Sequence, residues 1–492
     1  MNNKKNAVSA LMLQLATMVQ GLILPKLILT YFGSEVNGLI SSVTQFLGFI
    51  SLLEGGLGAV VLAELYRPIE ERDDKKISRI LEACQAFFDQ LAIAFIVYTI
   101  ILSFIYPLCI TKKFSFVYTS TIVFILSITT LTQYLFSITY KLYLQADQKL
   151  YIVNYISCAT IVINTIAAVV IMICFPNIHV VKLCSGLIYL LQPLFFRHFI
   201  KHKYRLNKVF TVKIHKDVLR NRWSGFSQNL AHFINMNTDV VVLTLFSTLD
   251  IVSVYNVYML AIVALRGIIS SIGNSYQSAL GKYIAEKDEE KLNTNFYRFE
   301  KVFWFLGVVS FSTCILLINQ FVSLYTAGID DANYFQPSFA TIIVIANMFY
   351  VLREPYRLLV LAAGKFKETN FGAIVEAVLN LSISILLVWK YGLVGVAIGT
   401  LIATVYRMLY FVRYLSQNVL KRKYRTYIVY ILSSISVLVL NLIAYSELKI
   451  KVATVFDFCC YGLIAVLLNA VLYTIVFKAF KLLIKQVQRI IV

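Results

Sequence analysis

GLILPKLILTYFGSEVNGLISSVTQFLGFISLLEGGLGAVVLAELYRPIEERDDKKISR, residues 21–79, decides how the rest of the chain is read. An apolar run carrying Pro25 and Lys26 leads into a Phe32-Gly33-Ser34 turn. A second apolar run is broken at Glu54-Gly55-Gly56 and ends in the mixed-charge segment 67–79, which reads as a short surface helix. Each run is long enough to cross roughly 30 Å of hydrocarbon as a helix, so the pattern is that of a membrane hairpin.

Outward from this stretch the composition stays the same. The 492 residues are 59% hydrophobic and 14% charged, with mean hydropathy +0.76. An ordinary soluble domain carries about 25% charged residues. About fourteen apolar spans follow one another: 8–32, 37–66, 84–108, 116–143, 152–175, 178–200, 223–247, 250–277, 299–325, 336–362, 368–389, 393–416, 424–446 and 453–478. The polar stretches between them are too short to fold separately. The expected class is an all-α polytopic membrane protein, with the first span retained as a membrane helix rather than cleaved as a signal.

The net charge of +20 suggests nucleic acid until the charges are placed. Of the 45 Lys and Arg, six (Lys112, Lys113, Lys182, Lys390, Lys449 and Lys451) fall on one side of the spans. Lys26 and Arg266 lie mid-span, and all the others fall on the opposite side. That asymmetry is the positive-inside pattern, with both termini cytoplasmic, and it excludes a nucleic-acid partner. Eight cysteines show neither a disulfide framework nor a metal motif, so no metal and no bound cofactor are expected.

The second half echoes the first. LTYFGSEV at 29–36 resembles LTLFSTLDI at 243–251, with Thr30 on Thr244 and Phe32 on Phe246. Leu144 and Ala146 fall on Leu361 and Ala363, Asn154-Tyr155 on Asn370-Phe371, and Asn164 on Asn380. Six spans per half is an even number, which makes these parallel repeats. The expected organisation is a six-helix lobe at 1–200, a basic cytoplasmic linker at 201–222, a second six-helix lobe at 223–416 and two additional helices at 417–492. In the linker, hydrophobic residues interleaved with Lys and Arg suit an anionic leaflet.

Ionisable residues deep in spans cost about 2.5–3.5 kcal/mol each on the insertion scale and are candidates for function. Lys26 follows Pro25 near the outer end of its span and either faces a cavity or snorkels to the interface. Arg266 lies mid-span, where snorkelling is difficult. Arg353 and Arg357 flank Pro355 and either line a cavity or pair with Glu354 between them. Together these bases suit an anionic substrate such as a diphosphate, because Arg reads phosphate oxygens in bidentate fashion. Glu54, Asp239 (beside Asn235 and Asn237) and Glu376 (one turn before Asn380) either hold a coupling proton or cation, or neutralise the bases.

Two stretches carry a resemblance to a known family. FGSEVNGLISSVTQFLGFISLLEGGLGAVVLAELYRPI (32–69) and NTDVVVLTLFSTLDIVSVYNVYMLAIVALRGIISSIGNSYQSALGKYIAEKD (237–288) resemble the bacterial polysaccharide-biosynthesis flippases. These are the O-antigen (Wzx-type) proteins of the polysaccharide-transporter branch of the multidrug/oligosaccharidyl-lipid/polysaccharide (MOP) exporter superfamily. The resemblance implies two six-helix lobes around a V-shaped cavity, as in the MATE-like fold. It also implies translocation of undecaprenyl-diphosphate-linked oligosaccharide units from the cytoplasmic to the outer leaflet of the bacterial inner membrane by alternating access. Membrane lipids, polysaccharide polymerase and chain-length machinery are the implied partners, and a proton or sodium gradient the implied drive. Basic residues on helices 1, 2, 7 and 8 are thought to hold the diphosphate; Lys26 and Arg266 match helices 1 and 8, whereas helices 2 and 7 offer Glu54 and Asp239. A cation-coupled multidrug exporter of the same superfamily is the nearest rival. An integral-membrane polysaccharide polymerase would need a large outside loop, and the loops here are about a dozen residues at most, so no enzyme is expected.

Overall fold

The structure, a computed structural model, describes residues 2–54, 57–110, 113–203, 226–286, 288–422, 425–447 and 452–491. Most of the basic linker expected at 201–222, together with Gly55 and Gly56, lies outside the described residues. Among those described, every regular element is helical. The chain divides into two compact units, Met1–Leu230 and Ala231–Val492.

The first unit contains α1 (Asn2–Gly48), α2 (Leu57–Glu71), α3 (Asp74–Cys109), α4 (Phe116–Thr132), α5 (Ile138–Ala146), α6 (Leu150–Cys174), α7 (Ile178–Tyr189) and α8 (Leu191–Lys203). The expected Phe32-Gly33-Ser34 turn is a sharp break inside α1, where Gly33 takes φ 82 and ψ 175. That region of backbone space is essentially open to glycine only. A 3₁₀ turn, Phe49–Glu54, separates α1 from α2. α1 packs along α6, α6 on α7, α7 on α4, and α4 on α3. Ile28, Val36, Ile40, Ile122, Ala168, Met172, Ile178 and Val181 form a core cluster in this unit. The start of α1 is tied to the α5–α6 turn, where Asn6 Nδ2 donates to the Gln148 carbonyl at 3.1 Å and the Tyr151 amide donates back to Asn6 Oδ1 at 2.8 Å.

The mixed-charge segment 67–79 is not a separate surface helix. It is divided between the end of α2 and the start of α3. Arg72 at φ 53 turns the chain, and Asp73 caps α3 by accepting from the Lys76 amide at 3.0 Å. A side-chain carboxylate at this position satisfies an amide that has no partner within the helix.

The second unit contains α9 (Phe226–Phe246), α10 (Leu249–Ala285), α11 (Glu289–Tyr325), α12 (Pro337–Leu352), α13 (Glu354–Ala362), α14 (Phe366–Tyr391), α15 (Leu393–Asn418), α16 (Arg425–Glu447) and α17 (Val455–Ile491). α15 packs on α14 and α12, and α11 on α10, α12, α16 and α17. The α14–α15 contact is unusually close, and Gly395 and Gly399 make it so. A Cβ at Gly395 would stand 2.5 Å from the Leu387 carbonyl oxygen, and one at Gly399 would meet the Ser384 hydroxyl and amide. Glycines spaced four apart let two helix backbones approach.

Eleven helices among the described residues are long and apolar enough to cross a membrane. The difference from about fourteen has three local origins. Lys4–Glu54 joins the first two expected spans through Gly33. Most side chains of α9 before Asn237 lie outside the described residues, so of the seventh span Asn237–Phe246 is described as apolar helix. The tenth is interrupted at Arg353, between α12 and α13.

Candidate functional site

Asp239 sits in α9 with 4% of its surface exposed. It accepts from Tyr255 Oη of α10 at 2.9 Å and from Thr400 Oγ1 of α15 at 2.9 and 3.0 Å. Asn380 Oδ1 of α14 lies 3.4 Å from Thr400 Oγ1, and Ser384 Oγ donates to that same Asn380 oxygen at 3.1 Å. The Val396 carbonyl completes the set, 3.2 Å from Thr400 Oγ1. The Gly395/Gly399 approach puts Asn380 and Ser384 against Thr400. Convergent carboxylate, amide, hydroxyl and carbonyl oxygens are the donor set that suits a hard cation.

Asp239, Tyr255, Thr400 and Thr404 line one side of a cleft of about 30 Å³. Its other side carries Met259, Arg266, Asn347 and Tyr350. The volume admits a water molecule or a small ion. Arg266 Nη1 donates to Asn347 Oδ1 at 3.0 Å, and its guanidinium lies 3.7 Å from the centre of the Tyr350 ring. Arg353 lies 4.2 Å from the centre of the same ring, so two guanidinium groups share Tyr350. Ring faces carry negative potential and hold cations there.

Arg353 is ion-paired with Glu376 of α14, and Arg407 Nε of α15 approaches the second Glu376 oxygen at 3.5 Å. All three side chains are 6 or 7% exposed. Arg407 also donates to the Thr369 carbonyl at 3.0 Å and lies over Phe411. The network contains three guanidinium groups and two carboxylates. Glu376 is occupied by Arg353 and Arg407, and Arg266 lies half-buried in the lining of the cleft.

Of the residues singled out in sequence, the structure brings Asp239, Arg266, Arg353 and Glu376 into one network. Arg357 adjoins it, facing Tyr350 and Arg353, but its own ion pair is elsewhere. Arg357 is held by Glu354, with Nε donating at 2.8 Å and Nη2 at 2.6 Å. Glu54 and Lys26 belong to the first unit. Glu54 accepts from Tyr134 Oη at 2.7 Å. Lys26 is half-buried, and its carbonyl accepts from Thr30 Oγ1 at 2.9 Å. Asn237 Nδ2 turns back to the Phe233 carbonyl at 2.7 Å instead of joining Asp239, and the Asn235 side chain lies outside the described residues.

Sequence reasoning missed Arg407, Tyr350, Asn347 and Thr400. Arg407 was counted with the basic tail formed by Arg413, Lys421 and Arg422. Its position fourteen residues into the 26-residue α15 was the available signal. It also missed Glu300, fully buried, which accepts from Arg422 Nη2 and from Tyr356 Oη, each at 2.6 Å.

The described residues form two units of helices, eleven of them long and apolar enough to cross a membrane, which is the fold of a polytopic membrane protein. No family model matches the chain, and no curated protein matches it. Among solved structures it is similar to lipid II flippase MurJ in an inward closed conformation, at TM-score 0.71 and 16% identity over 96% of this chain and 98% of that one. It is also similar to an inward-facing multidrug-resistance MATE family transporter of the MOP superfamily, at TM-score 0.58 and 17% identity over 82% and 95% of the two chains. A eukaryotic MATE transporter gives TM-score 0.60 and 12% identity over 84% and 95%.

Proposed function

We propose that the chain is a flippase that moves an undecaprenyl-diphosphate-linked oligosaccharide from the cytoplasmic to the outer leaflet of a bacterial inner membrane, for assembly of a cell-surface polysaccharide. The observation that carries this reading is Arg266. It is a half-buried guanidinium within a membrane-length helix, braced by Asn347 and Tyr350 at a cleft, while the neighbouring arginines are occupied by Glu376. A planar guanidinium fork matches the paired oxygens of a diphosphate. The likeness to a lipid II flippase over nearly the whole chain supports a lipid-linked substrate. In this reading the oxygen cluster around Asp239 takes the coupling ion, sodium or a proton, and the site is exposed alternately to the two membrane faces. The basic segments lie on the cytoplasmic side with both termini, and the translocated unit passes to the polymerase and chain-length machinery.

The buried acid Asp239 favours one other reading, a cation-coupled multidrug exporter, a function named for one of the similar structures. Replacing Arg266 by Ala and by Lys separates the two. The flippase reading expects loss of surface polysaccharide with Ala and partial recovery with Lys, in cells carrying normal amounts of the protein. Unchanged polysaccharide in both, with altered resistance to cationic drugs, favours the exporter.

A further inference from the structure

The first unit holds a cavity of about 520 Å³ that the proposed transport site does not use. It opens between α3, the α4–α5 junction and the α7–α8 junction. Small-molecule sites occupy roughly 300–1,000 Å³. The α4–α5 junction is a π-turn, Gln133–Ser137, a local widening of the helix that is frequent at functional sites. Gln85 holds it open: its Nε2 donates to the Leu135 carbonyl at 2.9 Å, and its Oε1 accepts from Thr139 Oγ1 at 2.7 Å. The neighbouring Phe136 is turned outward, 51% exposed.

The cavity wall is mostly apolar, yet Glu82 and Asp89 of α3 line it, and so do Arg197 of α8 and Tyr140 of α5. Asp89 accepts from Gln85 Nε2 at 2.7 Å. Among the described residues, none of Glu82, Asp89 and Arg197 has an ion-pair partner within 4 Å. Charges of both signs are therefore presented within one apolar cavity without neutralising each other.

At 1.5 Å per residue, Glu82 lies about 12 Å and Asp89 about 22 Å along α3 from its charged start at Asp74. The apolar wall includes Leu190, Pro193 and Leu194, the last 61% exposed, a surface suited to acyl chains.

We infer that this cavity binds an aminophospholipid of the surrounding membrane, with its ammonium at one of the α3 carboxylates, Glu82 or Asp89, its phosphate at Arg197 and Tyr140, and its chains along Leu190 and Leu194. A primary ammonium supplies three N–H donors to such a carboxylate. A choline headgroup has none, and a glycerol headgroup has no cation to offset the carboxylates.

The test is native mass spectrometry of the purified full-length chain, offered phosphatidylethanolamine, phosphatidylglycerol and phosphatidylcholine at equal concentration. Retention of phosphatidylethanolamine about tenfold above phosphatidylglycerol is expected, the ratio that one charge-assisted hydrogen-bond set supports. Glu82→Gln combined with Asp89→Asn brings it down to the phosphatidylglycerol level, and Leu194→Trp, which fills the mouth, lowers all three. Melting temperature of each variant reports folding; should the double variant unfold, the wild-type ranking together with Leu194→Trp decides. Equal retention of the three lipids by the wild type overturns the assignment. So does phosphatidylethanolamine retention that survives in a folded double variant, or preferential retention of tetraphenylphosphonium, which would make the cavity a site for cationic drugs. None of these outcomes bears on Arg266, so this inference and the flippase reading fail separately.

Discussion

Glu376 holds two buried guanidinium groups at once, Arg353 and Arg407. Removing one partner from a buried ion pair leaves an uncompensated charge and costs about 3–5 kcal/mol. Glu376→Gln should therefore lower thermal stability in detergent by that order, whereas Arg357→Gln, whose side chain is 38% exposed and paired only with Glu354, should be far milder. Equal stability of the two variants would show that Glu376 is not the keystone of the cluster. Tyr350 makes a complementary case. Tyr350→Leu keeps the volume roughly but removes the ring face shared by Arg266 and Arg353, a contribution of about 2 kcal/mol for a desolvated pair. Surface polysaccharide should fall, and Tyr350→Phe should preserve it because the ring remains. The type and depth of Arg266, Asp239 and Glu376 were legible in the sequence, since charges inside apolar runs stand out. Their partners were not. Thr400 and Asn347 are ordinary polar residues in membrane helices, and nothing local marks them as facing an acid or a guanidinium.

The elements explain how those partners meet. Gly395 and Gly399 form a four-residue repeat on α15 that the sequence reading passed over, because glycine is common in membrane helices. Gly399→Ala places a methyl against the Ser384 backbone amide, 2.9 Å from the added carbon, where no side-chain rotation relieves it. Overpacking of this kind costs about 1–3 kcal/mol and separates α14 from α15. The variant should therefore weaken whatever the Asp239 cluster binds, while Gly21→Ala, which meets nothing within 4 Å, should not. The helix starts have a pH signature of their own. Asp288 caps α11, and Lys291, through its ammonium first and its backbone amide second, holds the Asp288 carboxyl below its ordinary 3.8. A carboxyl lowered in the folded state contributes stability above its unfolded value and loses it as pH falls through the folded one. Protection of the first-turn amides of α11, taken as exchange relative to the intrinsic rate at each pH, should hold at neutral pH and decline as pH falls below 3.8, and Asp288→Asn should flatten that dependence. The sequence marked this start with Asp288-Glu289-Glu290, the acidic first turn expected of a helix N-terminus. It gave no sign of the π-turn at Gln133–Ser137, because that widening depends on Gln85, some fifty residues earlier in the chain.

At the scale of the whole molecule, the membrane class follows from composition and the order of spans from charge placement, whereas the coupling of two ligands rests on one small cleft. Asp239 and Arg266 line opposite sides of the same 30 Å³ space. A cation that neutralises Asp239 removes a negative charge facing the position an anion would take at Arg266, so the two ligands should assist one another. Such coupling is reciprocal in binding free energy and typically amounts to about 5–150-fold. Farnesyl diphosphate serves as a soluble probe of the anion site. Its affinity for the purified full-length chain should be at least about fivefold higher in sodium chloride than in choline chloride at equal ionic strength. Asp239→Asn removes the carboxylate charge while keeping a side chain of the same size; it should retain binding of the probe but abolish the difference between the two salts. Arg266→Ala should weaken the probe in both salts. A sodium dependence that persists in Asp239→Asn would place the coupling cation elsewhere. No sodium dependence in the wild type, combined with a dependence on pH that Asp239→Asn removes, would make the proton the coupling ion at the same carboxylate.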